Sequence, residues 1–498
     1  MIGSVQEHFN EATIHGDQQP MKSEMTRREA IRRAASAAIG GAAALSVPRL
    51  ASGAGQSSGA NRPNIIFILA DDLGYGDLGC YGQKTIRTPN IDRIAAEGVR
   101  FTQCYAGSTV CAPSRCCLMT GLHTGHAHVR GNARVPLRPE DLTVAKILKS
   151  AGYTTGIIGK WGLGEPDTTG IPNRQGFDYW FGYLNQHRAH NYWPDYLWKN
   201  EEKYPLPNVL VRDNIASKKQ VYSHDLFTSE ALDFIKRHKS EPFLLYLAYT
   251  IPHANNEAGR EGMEVPSDAP YTDEDWPQQQ KNHAAMITRM DGDVGKIIRL
   301  LKELGIEEDT IIFFSSDNGP HREGGARPEF FQSAGPLRGI KRDLYEGGIR
   351  VPMIVRWPGR VMPGAVSDQV WAFWDFPPTA AELAGVSGPA NIDGISMLPA
   401  LLGREQEDHE YLYWEFHERG FTQAVRLGNW KGVRLGTSRP IELYNLESDV
   451  GEKNNVADEH RDIVARIATV LKTVRTESEF FPVRESKKSA AATRRRAK

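Results

Sequence analysis

An α/β fold built on one large, mostly parallel sheet with helices on both faces is predicted by three features of this sequence. A continuous apolar run at 64–70 and further strand patterns at 153–158, 242–249, 310–315 and 351–356 recur along the chain. Runs without polar alternation suit strands buried on both faces, the condition of a parallel sheet covered by helices. Helical patterns separate several of these runs, which gives repeated strand–loop–helix units. Residues able to do chemistry follow the runs closely, where open α/β sheets place their ligands.

The chain of 498 residues has room for one large α/β domain and a smaller one. A net charge of −1 argues against a generally basic nucleic-acid binder, while leaving room for a local anion site. The five cysteines, Cys80, Cys104, Cys111, Cys116 and Cys117, lie close together. An odd, clustered set is no disulfide framework, and no C-x-x-C zinc pattern is present. At most one pair, such as Cys80 with Cys104, is left open.

At the amino end, Thr26-Arg27-Arg28-Glu29-Ala30-Ile31 precedes a mild apolar run from Ala34 to Val47, then Pro48 and the small-residue segment Ala51-Ser-Gly-Ala54-Gly. The run is too short and too weakly apolar for stable membrane insertion. It reads as a twin-arginine-like signal, which predicts an exported, periplasmic or secreted protein. Residues 1–60 are therefore set aside as signal and linker. Residues 61–402 form the predicted catalytic domain, 403–482 a C-terminal α+β subdomain, and 483–498 a basic disordered tail.

The first strand, Asn64 to Ala70, ends in Asp71-Asp72-Leu-Gly74. Adjacent carboxylates repel, so in a buried site they call for a cation. A short helix over Ile91–Glu97 and a strand over Val99–Cys104 lead to a Gly/Ser/Thr-rich loop and Cys111. Pro113 suits a first helical turn, which puts Cys111 at or just before a helix amino terminus, where the dipole favours an anion. Arg115 follows one turn later. A helix over Leu142–Ala151 and the strand Tyr153–Ile158 then deliver Lys160 in Gly159-Lys160-Trp161-Gly162.

The run 242–249 presents Pro252-His253. A long helix over Gln278–Leu304 carries Met286, Met290, Val294, Ile297, Ile298 and Leu301 at core-facing spacing. The strand Thr310–Ser315 delivers Asp317-Asn318, and a loop containing Lys341 precedes Val351–Arg356. Beyond Gly403, short runs at 411–416, 422–427, 430–435 and 441–444 predict an antiparallel sheet. One helix over His460–Thr473 follows it.

Asp71, Asp72, Asp317 and Asn318 offer oxygen donors alone, a set suited to Ca2+, with Mg2+ as the alternative. The stretch Cys111-Ala-Pro113-Ser-Arg115, running on to Thr120-Gly121, resembles the signature of type I sulfatases, C-x-P-S-R followed by T-G. Lys341-x-x-x-Tyr345-Glu-Gly-Gly-Ile-Arg350 is similar to a second sulfatase segment, and the motifs stand in family order from about Asn61 to the last helix.

The resemblance implies an alkaline-phosphatase-like fold and hydrolysis of sulfate esters. It implies that a formylglycine-generating enzyme converts Cys111 to formylglycine, whose hydrate is the nucleophile. It makes Asp71, Asp72, Asp317, Asn318 and the modified Cys111 the metal ligands, has Arg115 orient the hydrate, and sets Lys160 and Lys341 against the sulfate charge. His253 would protonate the leaving oxygen. One departure stands out: many family members read G-K-W-H-L-G, whereas here the fourth position is Gly162. His190 and His321 are the nearby imidazoles able to replace that histidine, and both join Lys160, His253 and Lys341 as candidate substrate-binding residues.

Two rival readings are a phosphomonoesterase, phosphodiesterase or phosphonate hydrolase of the same superfamily, and a non-catalytic sulfated-glycan binder. Aromatic residues crowd 177–198, from Phe177 to Trp198. They are either sugar-stacking platforms or a packed layer. With export, a sulfated poly- or oligosaccharide is expected rather than a small aryl sulfate.

Overall fold

The computed structural model describes residues 62–418 and 420–484. The signal region and most of the basic tail lie outside those residues. In chain order, the strands of the main sheet and of a small hairpin are β1 (Asn64–Asp71), β2 (Val99–Tyr105), β3 (Thr154–Lys160), β4 (Tyr179–Tyr183), β5 (Tyr196–Lys199), β6 (Glu202–Pro205), β7 (Val209–Arg212), β8 (Ile215–Lys218), β9 (Phe243–Pro252), β10 (Thr310–Ser316), β11 (Arg350–Arg356), β12 (Ala365–Ser367) and β13 (Trp371–Ala372). The main sheet runs β12-β2-β11-β10-β1-β9-β3-β4-β5-β6, with β13 also on β2 and β7–β8 as a separate hairpin.

Its centre is parallel: β10, β1, β9, β3 and β4 all run one way. The carboxyl ends of β10, β1, β9 and β3 therefore lie side by side. β11 runs against both β10 and β2. That reversal brings its amino end, and the Lys341 loop before it, to the same edge as those carboxyl ends.

β1 is buried along its whole length, and its side chains alternate between two cores. Ile65, Phe67 and Leu69 join one apolar cluster, whereas Ile66, Ile68 and Ala70 join the other. Each face is covered by helices: α1 (Pro89–Ala96), α2 (Cys111–Thr120), α3 (Val144–Ser150), α4 (Ser223–His238), α5 (Gln278–Glu303) and α6 (Phe376–Leu383). Helices α1, α4 and α5 pack on the Ile66 side, and α2, α3 and α6 on the Phe67 side. The methionines of α5, Met286 and Met290, are core residues, as their spacing predicts.

The predicted C-terminal sheet is an antiparallel meander of β14 (Leu412–Phe416), β15 (Thr422–Leu427), β16 (Trp430–Arg434) and β17 (Glu442–Asn445), followed by α7 (Arg461–Thr473). Tyr413, Val425 and Leu443 face Ile467 and Leu471 of α7, while Leu412, Trp414 and Val433 join the main core. Polar ties reinforce that docking. Lys431 Nζ lies 2.8 Å from Glu346 and 3.2 Å from Glu452, all three fully buried.

One helix was missing from the sequence reading, and two questions it left open are decided by the fold. Helix α4 was not foreseen, although Phe227, Ala231, Phe234 and Ile235 carry a helical stripe. The aromatic segment forms β4 and β5 and a packed layer: Phe177, Trp180, Phe181, Tyr183, Tyr192 and Trp193 are buried. None of those six rings lines the cavity described below. All five cysteines are free thiols, so Cys80 and Cys104 form no bridge. No described helix is long and apolar enough to cross a membrane.

Candidate active site

Four adjacent strand ends supply the centre of the site. β1 ends in Asp71, and Asp72 turns the chain with φ +65°, a left-handed conformation that is costly for a non-glycine residue and common at functional sites. β10 is followed by Asp317 and Asn318, β3 ends in Lys160, and His253 follows β9. Cys111 opens α2 beyond Val110, as the position of Pro113 predicts.

The charges interlock. Lys160 Nζ is 2.6 Å from Asp71 and Lys341 Nζ 2.7 Å from Asp72. Arg115 donates to Asp317 Oδ2 through Nε at 3.0 Å and Nη2 at 2.8 Å, and through Nη1 to the Lys160 carbonyl at 2.7 Å. Three carboxylates thus face three cations, all buried. Neither set would be tolerable there alone, since an unpaired buried charge costs several kcal/mol.

Burial raises the carboxyls of Asp71 and Asp317 alike. At Asp71 the Lys160 ammonium, with Arg115 and Lys341, outweighs burial and holds the group below the usual carboxylate range. At Asp317 burial and the neighbouring Asp71 charge win, and its pKa is pushed up. Cys111 Sγ lies 3.5 Å from Asp71 Oδ1. Burial and that carboxylate push the thiol well above its ordinary range, so an unmodified Cys111 is a poor thiolate.

The donor set fits a hard divalent cation. Asn318 Nδ2 donates to Asp72 Oδ1 at 2.7 Å, which leaves Asn318 Oδ1 turned the other way, buried and without a hydrogen-bond partner. A buried carbonyl oxygen beside three carboxylates is what an oxygen-coordinated dication would satisfy. Ligand-type atoms of Asp71, Asp72, Cys111 and His253 all lie within 4.8 Å of one another. His253 Nε2 is the exception in kind, because Lys341 Nζ donates to it at 3.0 Å.

A cavity of about 270 Å3 opens above this centre, lined by Cys111, His253, Lys341 and His190 among others. Gly162, Asn132, Asn185, Gln186, His187 and Asn256 also border it, with Arg134, Glu165, Arg342 and Glu418. Lys160 and Arg115 are not lining residues; they stand behind, bound to carboxylates. His321 is not one either. Its Nε2 donates to the Pro252 carbonyl at 3.1 Å and its Nδ1 accepts from Glu323 N at 3.1 Å, which seats it as a support behind His253.

His190 is brought into the site. Its ring lies parallel to that of His253, centroids 5.0 Å apart, and Nδ1 is 3.1 Å from Glu257. Glu257 and Gln186 were not singled out from the sequence. Gln186 and His187 stand in the same stretch as His190, but nothing local distinguishes Glu257 from a surface acid.

An α/β body that gathers carboxylates, cations and a cysteine opening a helix at the carboxyl edge of its parallel strands defines an alkaline-phosphatase-like hydrolase. The chain belongs to the sulfatase family: the sulfatase family model matches residues 63–386, and a model of the N-sulphoglucosamine sulphohydrolase C-terminal region matches 340–477. The protein is accordingly a sulfatase, similar to the N-acetylgalactosamine-6-sulfatase of Homo sapiens, with 35% identity covering 84% of this chain and 87% of the relative. It is likewise similar to the N-acetylgalactosamine-6-O-sulfatase of Bacteroides thetaiotaomicron, with 32% identity over 85% of this chain and 94% of that protein.

Among solved structures, Ps i-CgsB in complex with k-i-k-neocarrahexaose superposes with a TM-score of 0.73 at 28% identity, covering 88% of this chain and 98% of that one. A phosphonate monoester hydrolase of Agrobacterium radiobacter shares the fold, with a TM-score of 0.60 at 21% identity, 83% of this chain and 95% of that one.

Proposed function

We propose that this sulfatase removes sulfate from a sulfated sugar within a poly- or oligosaccharide, using formylglycine formed from Cys111 and one divalent cation, Ca2+ or Mg2+. One observation carries the substrate reading. The cavity is walled by the carboxamides of Asn132, Asn185, Gln186 and Asn256 and by histidines, with no Phe, Tyr or Trp among its lining residues. Such a wall matches sugar hydroxyls better than an aryl ring. The N-acetylgalactosamine-6-sulfatase relatives and the k-i-k-neocarrahexaose held by the structural neighbour support the same class.

Asp71, Asp72, Asp317, Asn318 and residue 111 would hold the cation. Formylglycine would supply the nucleophilic hydroxyl, and the dication Lewis-acid polarisation of the sulfate oxygens. The protein's own residues do the rest. Arg115 and Lys160 fix Asp317 and Asp71 in place, so the carboxylates are preorganised rather than mobile. Lys341, the one of the three buried cations that lines the cavity, would meet sulfate. Maturation requires a formylglycine-generating enzyme. The twin-arginine-like segment at Thr26–Ile31 supports export, which would give access to an extracellular polysaccharide; these residues lie outside those described.

The test is co-expression with a formylglycine-generating enzyme, mass spectrometry of the Cys111 peptide, sulfate release from N-acetylgalactosamine 6-sulfate, galactose 6-sulfate and 4-nitrophenyl sulfate, and hydrolysis of phenylphosphonate esters in parallel. Conversion of the thiol to the aldehyde, with sulfate released from the sugars and no turnover in Cys111→Ala, is expected. An unmodified Cys111 in an active enzyme, or turnover restricted to aryl sulfate or phosphonate, overturns the reading.

A further inference from the structure

Three turns from distant parts of the chain build an imidazole–carboxylate cluster beside the cavity. The turn after β4 carries His187 and His190, the turn after β9 carries Glu257, and the tip of the β7–β8 hairpin carries Asp213 and Asn214. Both histidines line the cavity. Ligand-type atoms of His187, His190 and Glu257 all lie within 4.8 Å of one another.

His190 Nδ1 is 3.2 and 3.1 Å from the two Glu257 oxygens, and His187 Nδ1 is 3.4 Å from Oε1. Two imidazole nitrogens thus converge on one carboxylate. The other nitrogen of His187, Nε2, is 2.6 Å from Asp213 Oδ2. A neutral imidazole has a single N–H. With that hydrogen at the shorter contact, on Nε2, His187 Nδ1 turns a lone pair toward Glu257. A lone pair and a carboxylate repel each other unless a cation lies between them.

The spacing suits such an ion. Tetrahedral Zn2+, with bonds of about 2.0–2.2 Å to imidazole and carboxylate, holds its donors roughly 3.3–3.5 Å apart. Two edges of the cluster already measure 3.1 and 3.4 Å. The surroundings match as well. A carboxylate on the far nitrogen of a ligating histidine fixes its tautomer and ring orientation, and Asp213 occupies that place on His187. Asn214 Nδ2 donates to Glu257 Oε2 at 3.2 Å and to the His187 carbonyl at 2.6 Å, while Asn255 Nδ2 holds the Asn214 carbonyl at 2.8 Å.

His190 is backed by the His253 ring, parallel to it with centroids 5.0 Å apart. That ring is held at both nitrogens, Nδ1 on the Ala254 carbonyl at 2.7 Å and Nε2 beside Lys341 Nζ at 3.0 Å. A second set of two histidines and a carboxylate, His123, His126 and Asp393, is closed by contrast. Gly125 N donates to His123 Nδ1 at 3.1 Å, so the His123 hydrogen sits on Nε2, the atom that faces Asp393.

We propose that His187, His190 and Glu257 bind one divalent transition-metal ion of the Zn2+ class, with Asp213 as the outer partner of His187. The donors separate this site from the carboxylate centre: imidazole nitrogen suits Zn2+, whereas Asp71, Asp72, Asp317 and Asn318 offer the oxygen that Ca2+ takes. Three protein donors leave a fourth position for water. The ion ties the turns after β4 and β9 together and so holds the cavity wall that His187 and His190 form.

The test strips the full-length protein of metal, saturates it with Ca2+, and titrates it with Zn2+ by calorimetry and with Co2+ by visible absorption. One equivalent of Zn2+ per chain is expected, with Co2+ giving the bands of a tetrahedral nitrogen–oxygen site that Zn2+ displaces. His187→Ala and Glu257→Gln should each weaken binding at least a hundredfold, and Asp213→Asn about 10–100-fold. Asn318→Ala and His126→Ala should leave the Zn2+ affinity as it is.

No Zn2+ binding in the presence of Ca2+ overturns the proposal and leaves the cluster as a hydrogen-bonded ion pair. Binding that survives both His187→Ala and Glu257→Gln, or that Ca2+ competes away, or Co2+ bands of thiolate coordination, overturns it too. Melting temperatures of the metal-free variants equal to wild type, with the Zn2+-induced rise lost in His187→Ala and Glu257→Gln, separate lost ligands from lost folding.

Discussion

Gly162 and Gln186 share one space. A Cβ on Gly162 would stand 2.1 Å from Gln186 Nε2, and the φ of Gly162 is +84°, a conformation that side-chain-bearing residues rarely adopt. The position where many sulfatases carry a histidine is closed here twice over, by backbone conformation and by the Gln186 amide. Both amide atoms of Gln186 are buried without a hydrogen-bond partner.

Restoring the histidine should therefore cost stability. Gly162→His is expected to lose about 1–3 kcal/mol from the strained backbone, with the steric conflict in addition. Gln186→Ala in the same chain should return the steric part. A double-mutant cycle by urea denaturation measures this, and additive losses would show that the two residues do not compete.

The unpartnered Asn318 oxygen predicts a cation-dependent stability. After chelation, Ca2+ at a hundredfold over its Kd should stabilise the folded protein by about 2.7 kcal/mol. Asn318→Ala should need a higher Ca2+ concentration for the same rise in melting temperature. Identical titrations for both proteins would remove Asn318 from the ligand set.

Glu415 of β14 joins the C-terminal sheet to the main body, 3.0 Å from Arg130 and 2.9 Å from Arg475, with His417 at 3.0 Å. Burial would raise its carboxyl, but His417, Arg130 and Arg475 outweigh burial and depress it to about 2 from 4.5. A depressed folded-state pKa gives stability that is present above the unfolded value and lost as pH falls through the folded one. The window is therefore about pH 4.5 down to 2, and the contribution at pH 7 is roughly 3 kcal/mol. Glu415→Gln should lose about that much at pH 7 and show a flatter acid limb in chemical denaturation. A variant as stable as wild type at pH 7 would contradict it.

The strands that build the site were legible because each is a local signal. The run 64–70 is apolar without a break, and Asp71-Asp72 follows it at once. The strand 310–315 with Asp317-Asn318 close behind it is a similar signal, and the strand 153–158, β-branched and apolar at its end, leads to Lys160. The aromatic segment was ambiguous, because a ring packed under a sheet and a ring stacked on a sugar read identically in sequence. β4 and β5 decided for packing.

By itself, then, the sequence determined the α/β class, the parallel strands with their carboxyl-end residues, the helix opening at Cys111, and the sulfatase signature with its missing histidine. All of these are encoded within a few consecutive residues. Tertiary structure alone decided the direction of β11, which carries Lys341 to Asp72, a residue 269 positions away. It also decided the pairing of Gly162 with Gln186, the use of both His253 nitrogens, and the setting of His190 on Glu257, 67 positions on. Which donor meets which acceptor is fixed by strand order and loop packing, and a buried polar atom takes the partner the fold brings to it.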